Sequence, residues 1–154
     1  MKIRTVCPLL LAFANSCSPI MGRTRFQKMI FLLQAKQAGT NARTDFNFVP
    51  YDYGPYSKAL QLDVNRLIEH DLLEEEPTKG PSGKYMYRYR ITEKGKMLVD
   101  RLLTEPAYRE HQFEAILRRL EEIKSDINGK DLDALLREIY ARYPEYAQLS
   151  KYKF

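Results

Sequence analysis

The chain has 154 residues, 44% of them hydrophobic and 29% charged, with a formal net charge of +5. These values give room for one packed domain, short for two, and they exclude a low-complexity or collagen-like chain. No apolar run approaches the roughly 20 residues that span a bilayer, so a membrane partner is not expected, and the longest, Pro8 to Ala14, has the length of a core helix.

That run follows Lys2 and Arg4, but it is about as short as the apolar core of a signal peptide can be, which disfavours a leader. Cys7 and Cys17 lack the paired spacing of a zinc site and are too few for a disulfide framework. Free thiols in a cytoplasmic protein are the reading that fits. The charge is uneven. Residues 1–100 carry 15 Lys/Arg and 10 Asp/Glu, whereas residues 101–154 carry 10 of each. An excess of positive charge on one part of a fold is the footprint expected of a nucleic-acid binder, although many non-binders are as basic overall.

In chain order, residues 3–16 predict a first helix, with Pro8 near its first turn, where proline is tolerated. Residues 16–22, with Pro19 and Gly22, read as a turn. Thr24 and Gln27 have the spacing of a capping box. Phe26, Ile30 and Leu33, widened by Met29 and Leu32, then predict a second helix that stops at Gly39. Residues 40–55 form a long connection closing on Tyr51-Asp52-Tyr53-Gly54-Pro55-Tyr56. A third helix is expected over Ser57–His70, burying Leu60, Val64, Leu67 and Ile68 and presenting Lys58, Gln61, Asn65 and Glu69 on the other side.

The period then falls to two. Residues 72–76 predict a strand, residues 77–83 a loop, and residues 84–91 a second strand. Tyr85, Tyr87, Tyr89 and Ile91 share one face of it; Lys84, Met86, Arg88 and Arg90 share the other. The tyrosine row reads as core rather than as a base-stacking platform. Thr92 caps a fourth helix that buries Val99, Leu102 and Leu103, with Met97 and Leu98 nearby. A long helix over residues 107–127 places Phe113, Ile116, Leu120, Ile123 and Ile127 at heptad spacing. Asn128-Gly129 turns the chain, Asp131 caps a last helix with Leu132, Leu135, Leu136 and Ile139, and Pro144 ends it. The fold class expected is mainly α with a small antiparallel β-hairpin: a winged helix-turn-helix domain over residues 1–104 and a C-terminal helical extension over residues 105–154.

In that arrangement the third helix enters the major groove of double-stranded DNA, because a helix is about as wide as the groove. Ser57, Lys58, Gln61 and Asn65 would face the base edges, Lys79 and Lys84 on the wing loop would lie over the backbone or the minor groove, and Arg88 and Arg90 would line the strand behind it. Arg23, Arg25 and Lys28 would meet phosphate at the start of the second helix. Against this, Glu74, Glu75 and Glu76 sit where they can pair across the hairpin with Arg88 and Arg90, and Asp63 and Glu69 repel phosphate. Tyr51, Tyr53 and Tyr56, around Gly54-Pro55, read as a rigid turn covering the core, with a recognition surface for a protein or a nucleic acid as the alternative. The heptad seam suits either a homodimer or antiparallel packing on the last helix, which the short Asn-Gly turn favours; a homodimer is still expected, since two copies double the phosphate contacts and read two half-sites. With His70 and His111 the only histidines, and no phosphate-binding glycine loop, no catalytic site, metal or cofactor is expected.

Arg88 to Gly95 (R-Y-R-I-T-E-K-G) resembles the second wing strand and following helix of many winged-helix regulators. More particular are R-T-R-F-Q-K-M-I-F-L-L-Q from Arg23 and Y-D-Y-G-P-Y-S-K-A-L-Q-L-D-V-N-R-L-I-E-H-D-L-L from Tyr51. These look like the YwgA-like winged-helix proteins of bacteria, archaea and phages, and are distantly similar to the Panacea antitoxin domains, which also carry Tyr-Gly-Pro before a helix. The resemblance covers about residues 23–96. It implies a winged-helix fold without an assigned activity, and the antitoxin likeness implies a role through protein partners. The expected function is therefore DNA binding as a transcriptional regulator, with a protein-binding adaptor as the alternative.

Overall fold

The structure is a computed structural model and describes residues 8–36, 46–80, 82–104, 118, 121–122 and 124–154. Helix α1 (Pro8–Cys17) leads through a turn to a two-residue strand, β1 (Ile20–Met21), and then to α2 (Arg23–Lys36). A small hairpin, β2 (Val49–Tyr51) and β3 (Gly54–Tyr56), precedes α3 (Lys58–Glu69). The larger hairpin pairs β4 (Leu73–Lys79) with β5 (Tyr85–Ile91), and is followed by α4 (Glu93–Thr104). Helix α5 (Leu132–Arg142) and a 3₁₀ turn at Pro144–Ala147 close the described elements. The result is a mixed helical protein with two small antiparallel sheets, one of order β1-β5-β4 and one of β2-β3.

Helix α2 is the centre of the core. Every residue from Phe26 to Leu33 is buried, including the polar pair Gln27 and Lys28. A helix covered all round has neighbours on every side. Here α5 packs against both α2 and β3, and Phe31 makes edge-on ring contacts with Phe48, Tyr143 and Tyr146 at 4.9–5.2 Å. The helix starts at Arg23, where Phe26 N donates to Gly22 O. The expected capping box does not form, because the Gln27 side chain is spent on Ser57 across the fold.

Helix α3 follows its amphipathic pattern. Leu60, Val64 and Leu67 are buried, and the Ser57 hydroxyl caps the helix by accepting from Leu60 N at 3.2 Å. Thr92 caps the next helix in the same way, accepting from Gly95 N at 2.9 Å. Asp131 caps α5, accepting from Ala134 N at 2.8 Å. Leu135, Leu136 and Ile139 of that helix are buried.

Four expectations are corrected. Strand β4 continues through Pro77 to Lys79, which pairs with Tyr85, where a loop over residues 77–83 was expected. Residues 20–21 form an edge strand, Ile20 opposite Tyr89 and Met21 opposite Arg88, where a turn was expected. The tyrosine row of β5 is core at one end only: Tyr89 is 1% exposed but Tyr85 is 76% exposed, because the hairpin runs out past the helices that cover it. Met97 points to solvent at 66% exposure. Of the heptad seam, Phe113, Ile116, Leu120 and Ile123 lie outside the described residues, as do Cys7 and His111. Ile127 is fully buried in the chain's own core.

Candidate functional site

Residues 23, 24, 27 and 28 recur at one-turn spacing along α2 and so share a face. That face meets the β2–β3 hairpin and the start of α3. Gln27 Nε2 donates to Ser57 O at 2.9 Å, and Gln27 Oε1 accepts from Ser57 N at 2.9 Å. One carboxamide thus satisfies both backbone groups of a residue that is itself fully buried. This clamp fixes where α3 begins. Lys28 Nζ donates to Pro55 O at 2.8 Å. Lys28 is 3% exposed, and burial pushes its ammonium down to about 7, since a charge taken out of water is disfavoured.

Between these elements lies a cavity of about 410 Å³, lined by Arg23, Thr24, Gln27, Lys28, Tyr51, Tyr53, Tyr56, Gln61 and Asn65. Two of the lining residues are cations and none is a carboxylate. The Tyr51 and Tyr56 rings lie 5.2 Å apart, tilted by 32°. Tyr51 and Tyr53 are about half exposed, at 54% and 46%. Gly54, at φ +84°, opens β3 opposite Tyr51 just after the turn, and a Cβ there would meet Leu136 and Tyr140 of α5. The tail braces the hairpin from outside: Lys151 N donates to Asp52 O at 2.7 Å.

The structure therefore unites two residue groups that the sequence kept apart. Arg23, Lys28, Gln61 and Asn65, expected at DNA, line the same cavity as Tyr51, Tyr53 and Tyr56, expected in a rigid turn with a partner surface as the alternative. Lys28 and Ser57, both expected at DNA, are withdrawn from the surface, Ser57 because its hydroxyl caps α3 and its backbone is clamped by Gln27. Arg25 faces elsewhere, its guanidinium donating to Lys130 O at 2.5 Å and Asn128 O at 3.1 Å, where it ties α2 to the turn before α5. Thr24 and Gln27 are cavity residues that sequence reasoning did not select. The available signal was two polar residues, Gln27 and Lys28, inside the otherwise apolar run from Phe26 to Leu33.

On the outer face of α3, Lys58 and Asn65 are exposed, and Gln61 Nε2 donates to Asn65 Oδ1 at 3.1 Å. Leu62 is 48% exposed beside them, and Arg66 is paired with Asp63 at 2.9 Å. On the large hairpin Lys79, Lys84 and Arg90 are exposed. Arg88 is paired with Glu76, and Glu74 stands opposite Arg90 in the register. Arg23 lies 4.1 Å over the Tyr87 ring, donates to the Tyr89 hydroxyl at 3.2 Å, and faces Glu75 at 3.6 Å. The Tyr89 hydroxyl donates in turn to Glu75 at 2.7 Å; burial first, then this bond, pushes the phenol well above its ordinary range.

The remaining chemistry is sparse. Burial pushes the Cys17 thiol up to about 12, so it stays protonated at neutral pH. Among the described residues no group of three metal-ligating side chains comes together, and no helix is long and apolar enough to cross a membrane.

The chain is similar to the "Uncharacterized protein YwgA" of Bacillus subtilis (strain 168), at 36% identity over 92 residues. The match covers 60% of this chain and 52% of the relative, so the chain spans about half the length of the curated relative it matches. This supports the YwgA side of the resemblance. No family model matches the chain.

Proposed function

We propose that the chain is a winged-helix protein that binds duplex DNA, as a regulator of transcription, with α3 in the major groove and the β4–β5 hairpin as its wing. The observation that carries this reading is the topology. The order α1-β1-α2-β2-β3-α3-β4-β5, with the β2–β3 hairpin inserted between α2 and α3 and β1 completing the sheet beside β5, leaves the outer face of α3 and the hairpin tip exposed. The groups presented there suit a duplex: Lys58, Gln61 and Asn65 on the helix, and Lys79, Lys84 and Arg90 on the wing. Glutamine and asparagine can read adenine in bidentate fashion, and the cations meet phosphate. A homodimer of this unit would read two half-sites and double the phosphate contacts.

Fluorescence anisotropy with a random-sequence duplex across a salt series tests the proposal. The expected result is micromolar binding whose log–log salt slope corresponds to about three or more phosphates, weakened in Lys58→Ala/Arg90→Ala with no change in thermal midpoint. No binding at about 50 mM salt overturns it.

A second reading, a protein-binding adaptor, draws on a different observation. Arg23 and Arg88 are engaged by Glu75 and Glu76, while Tyr51, Tyr53 and Leu62 are exposed around the cavity mouth and on α3. That reading predicts that Tyr53→Ala abolishes a co-purifying protein partner and leaves duplex affinity intact.

A further inference from the structure

We propose that the cavity between α2, the β2–β3 hairpin and α3 is a binding site for a small planar aromatic compound carrying one anionic group, a carboxylate or a phosphate. Its volume of about 410 Å³ falls in the range of ordinary small-ligand pockets and suits a compound of one or two rings. Tyr51, Tyr53 and Tyr56 supply aromatic faces on one wall, and rings prefer offset or edge-on partners of this kind. Arg23 and Lys28 of α2 add positive charge to the lining, which holds no carboxylate. Arg23 shares its charge with Glu75, 3.6 Å away and outside the lining, which leaves Lys28 as the cation without a counter-charge among the described residues.

Lys28 is the feature a purely structural role does not require. An ammonium is costly to bury, and a buried charge is ordinarily paired with an opposite one. Among the described residues Lys28 Nζ has one hydrogen-bond acceptor, the Pro55 carbonyl, although an ammonium carries three donors. An anion in the cavity would give Lys28 the counter-charge it lacks. The first turn of α2 adds its partial positive charge in the same place. The inference stands on the cavity alone and is tested without DNA, so failure of duplex binding leaves it untouched.

Isothermal titration of the full chain with 5′-AMP, adenosine and 2-naphthoate tests it. At least one of the two anions is expected to bind with a Kd at or below about 100 μM, with AMP tighter assigning a phosphate and naphthoate tighter a carboxylate. Adenosine should bind at least ~10-fold more weakly than AMP wherever AMP binds. Lys28→Met and Tyr53→Ala should each weaken the bound anion by ~10-fold or more. Tyr53 is half exposed, so its variant folds even if Lys28→Met does not. Absence of binding by both anions up to about 1 mM, adenosine binding as tightly as AMP, or unchanged affinity in Tyr53→Ala overturns the proposal.

Discussion

Lys28 sets the pH behaviour of the fold. Its ordinary value is 10.5 and burial lowers it to about 7. Between those two values the unfolded chain holds a proton that the folded chain has shed. Stability therefore rises with pH across that window, by up to about 1.4 kcal/mol per pH unit from this one group; below pH 7 the full cost of burying the ammonium is present. Lys28→Met removes the cost and also the donor to Pro55 O. Its gain over the parent chain should be largest near pH 6 and shrink steadily toward pH 9.5. Urea midpoints measured at both ends check this, and parallel pH curves for the two proteins would show that Lys28 does not titrate in the window. Gln27 has a different role, with no charge to shift. Gln27→Ala orphans a buried N–H and a buried C=O of Ser57, a loss of about 2–4 kcal/mol. Ser57→Ala removes only the cap on α3 and should cost about 1 kcal/mol. Chemical denaturation separates the two, and equal losses would mean that the clamp is not what fixes the start of α3.

Elements long enough to show a period were legible in the sequence. Helix α3, β5, α4 and α5 lie where hydrophobic spacing and the caps at Ser57, Thr92 and Asp131 put them, whereas β4 runs three residues past its expected end, through Pro77 to Lys79. Strands β1, β2 and β3 were not legible, because two or three residues hold no period to read. They exist through pairing with distant partners, Ile20 with Tyr89 and Val49 with Tyr56. The start of α4 shows how tightly its helix meets the sheet. A Cβ at Gly95 would lie 2.3 Å from Leu72 O and 2.7 Å from Ile91 Cδ1. The backbone carbonyl cannot yield as a flexible side chain would. Gly95→Ala should therefore destabilise by about 1–3 kcal/mol, despite alanine's better helix propensity. A thermal midpoint equal to or above that of the parent chain would show that α4 can lift away from β4 at little cost.

At the scale of the molecule, the sequence contained the members of the site without its grouping. Gln61 and Asn65 follow from the face of α3, and the tyrosines from their density around Gly54-Pro55. That both sets border one cavity with Lys28 depends on α2 being covered on every side, which its own pattern could not reveal because α5 lies about a hundred residues further along the chain. The sequence did anticipate the tension in charge: a net of +5 on a fold whose β4–β5 hairpin carries its own carboxylates. Glu76 pairs with Arg88, and Glu74 faces Arg90 across the ladder, so the arginines of β5 present less field to a polyanion than their number implies. Glu74→Gln/Glu76→Gln keeps the shape of both side chains, frees Arg88 from its ion pair and removes the negative charge opposite Arg90, raising the net charge by two. If duplex DNA lies along the wing, affinity for a random duplex should rise, and the log–log salt slope should steepen by up to about 2, one counterion for each phosphate newly met. The same change made away from the wing, Glu138→Gln/Glu145→Gln, adds the same net charge and should leave the slope nearly unchanged. Equal effects from the two pairs would mean that net charge rather than a wing contact governs binding, and no effect from either would assign the hairpin to a protein partner.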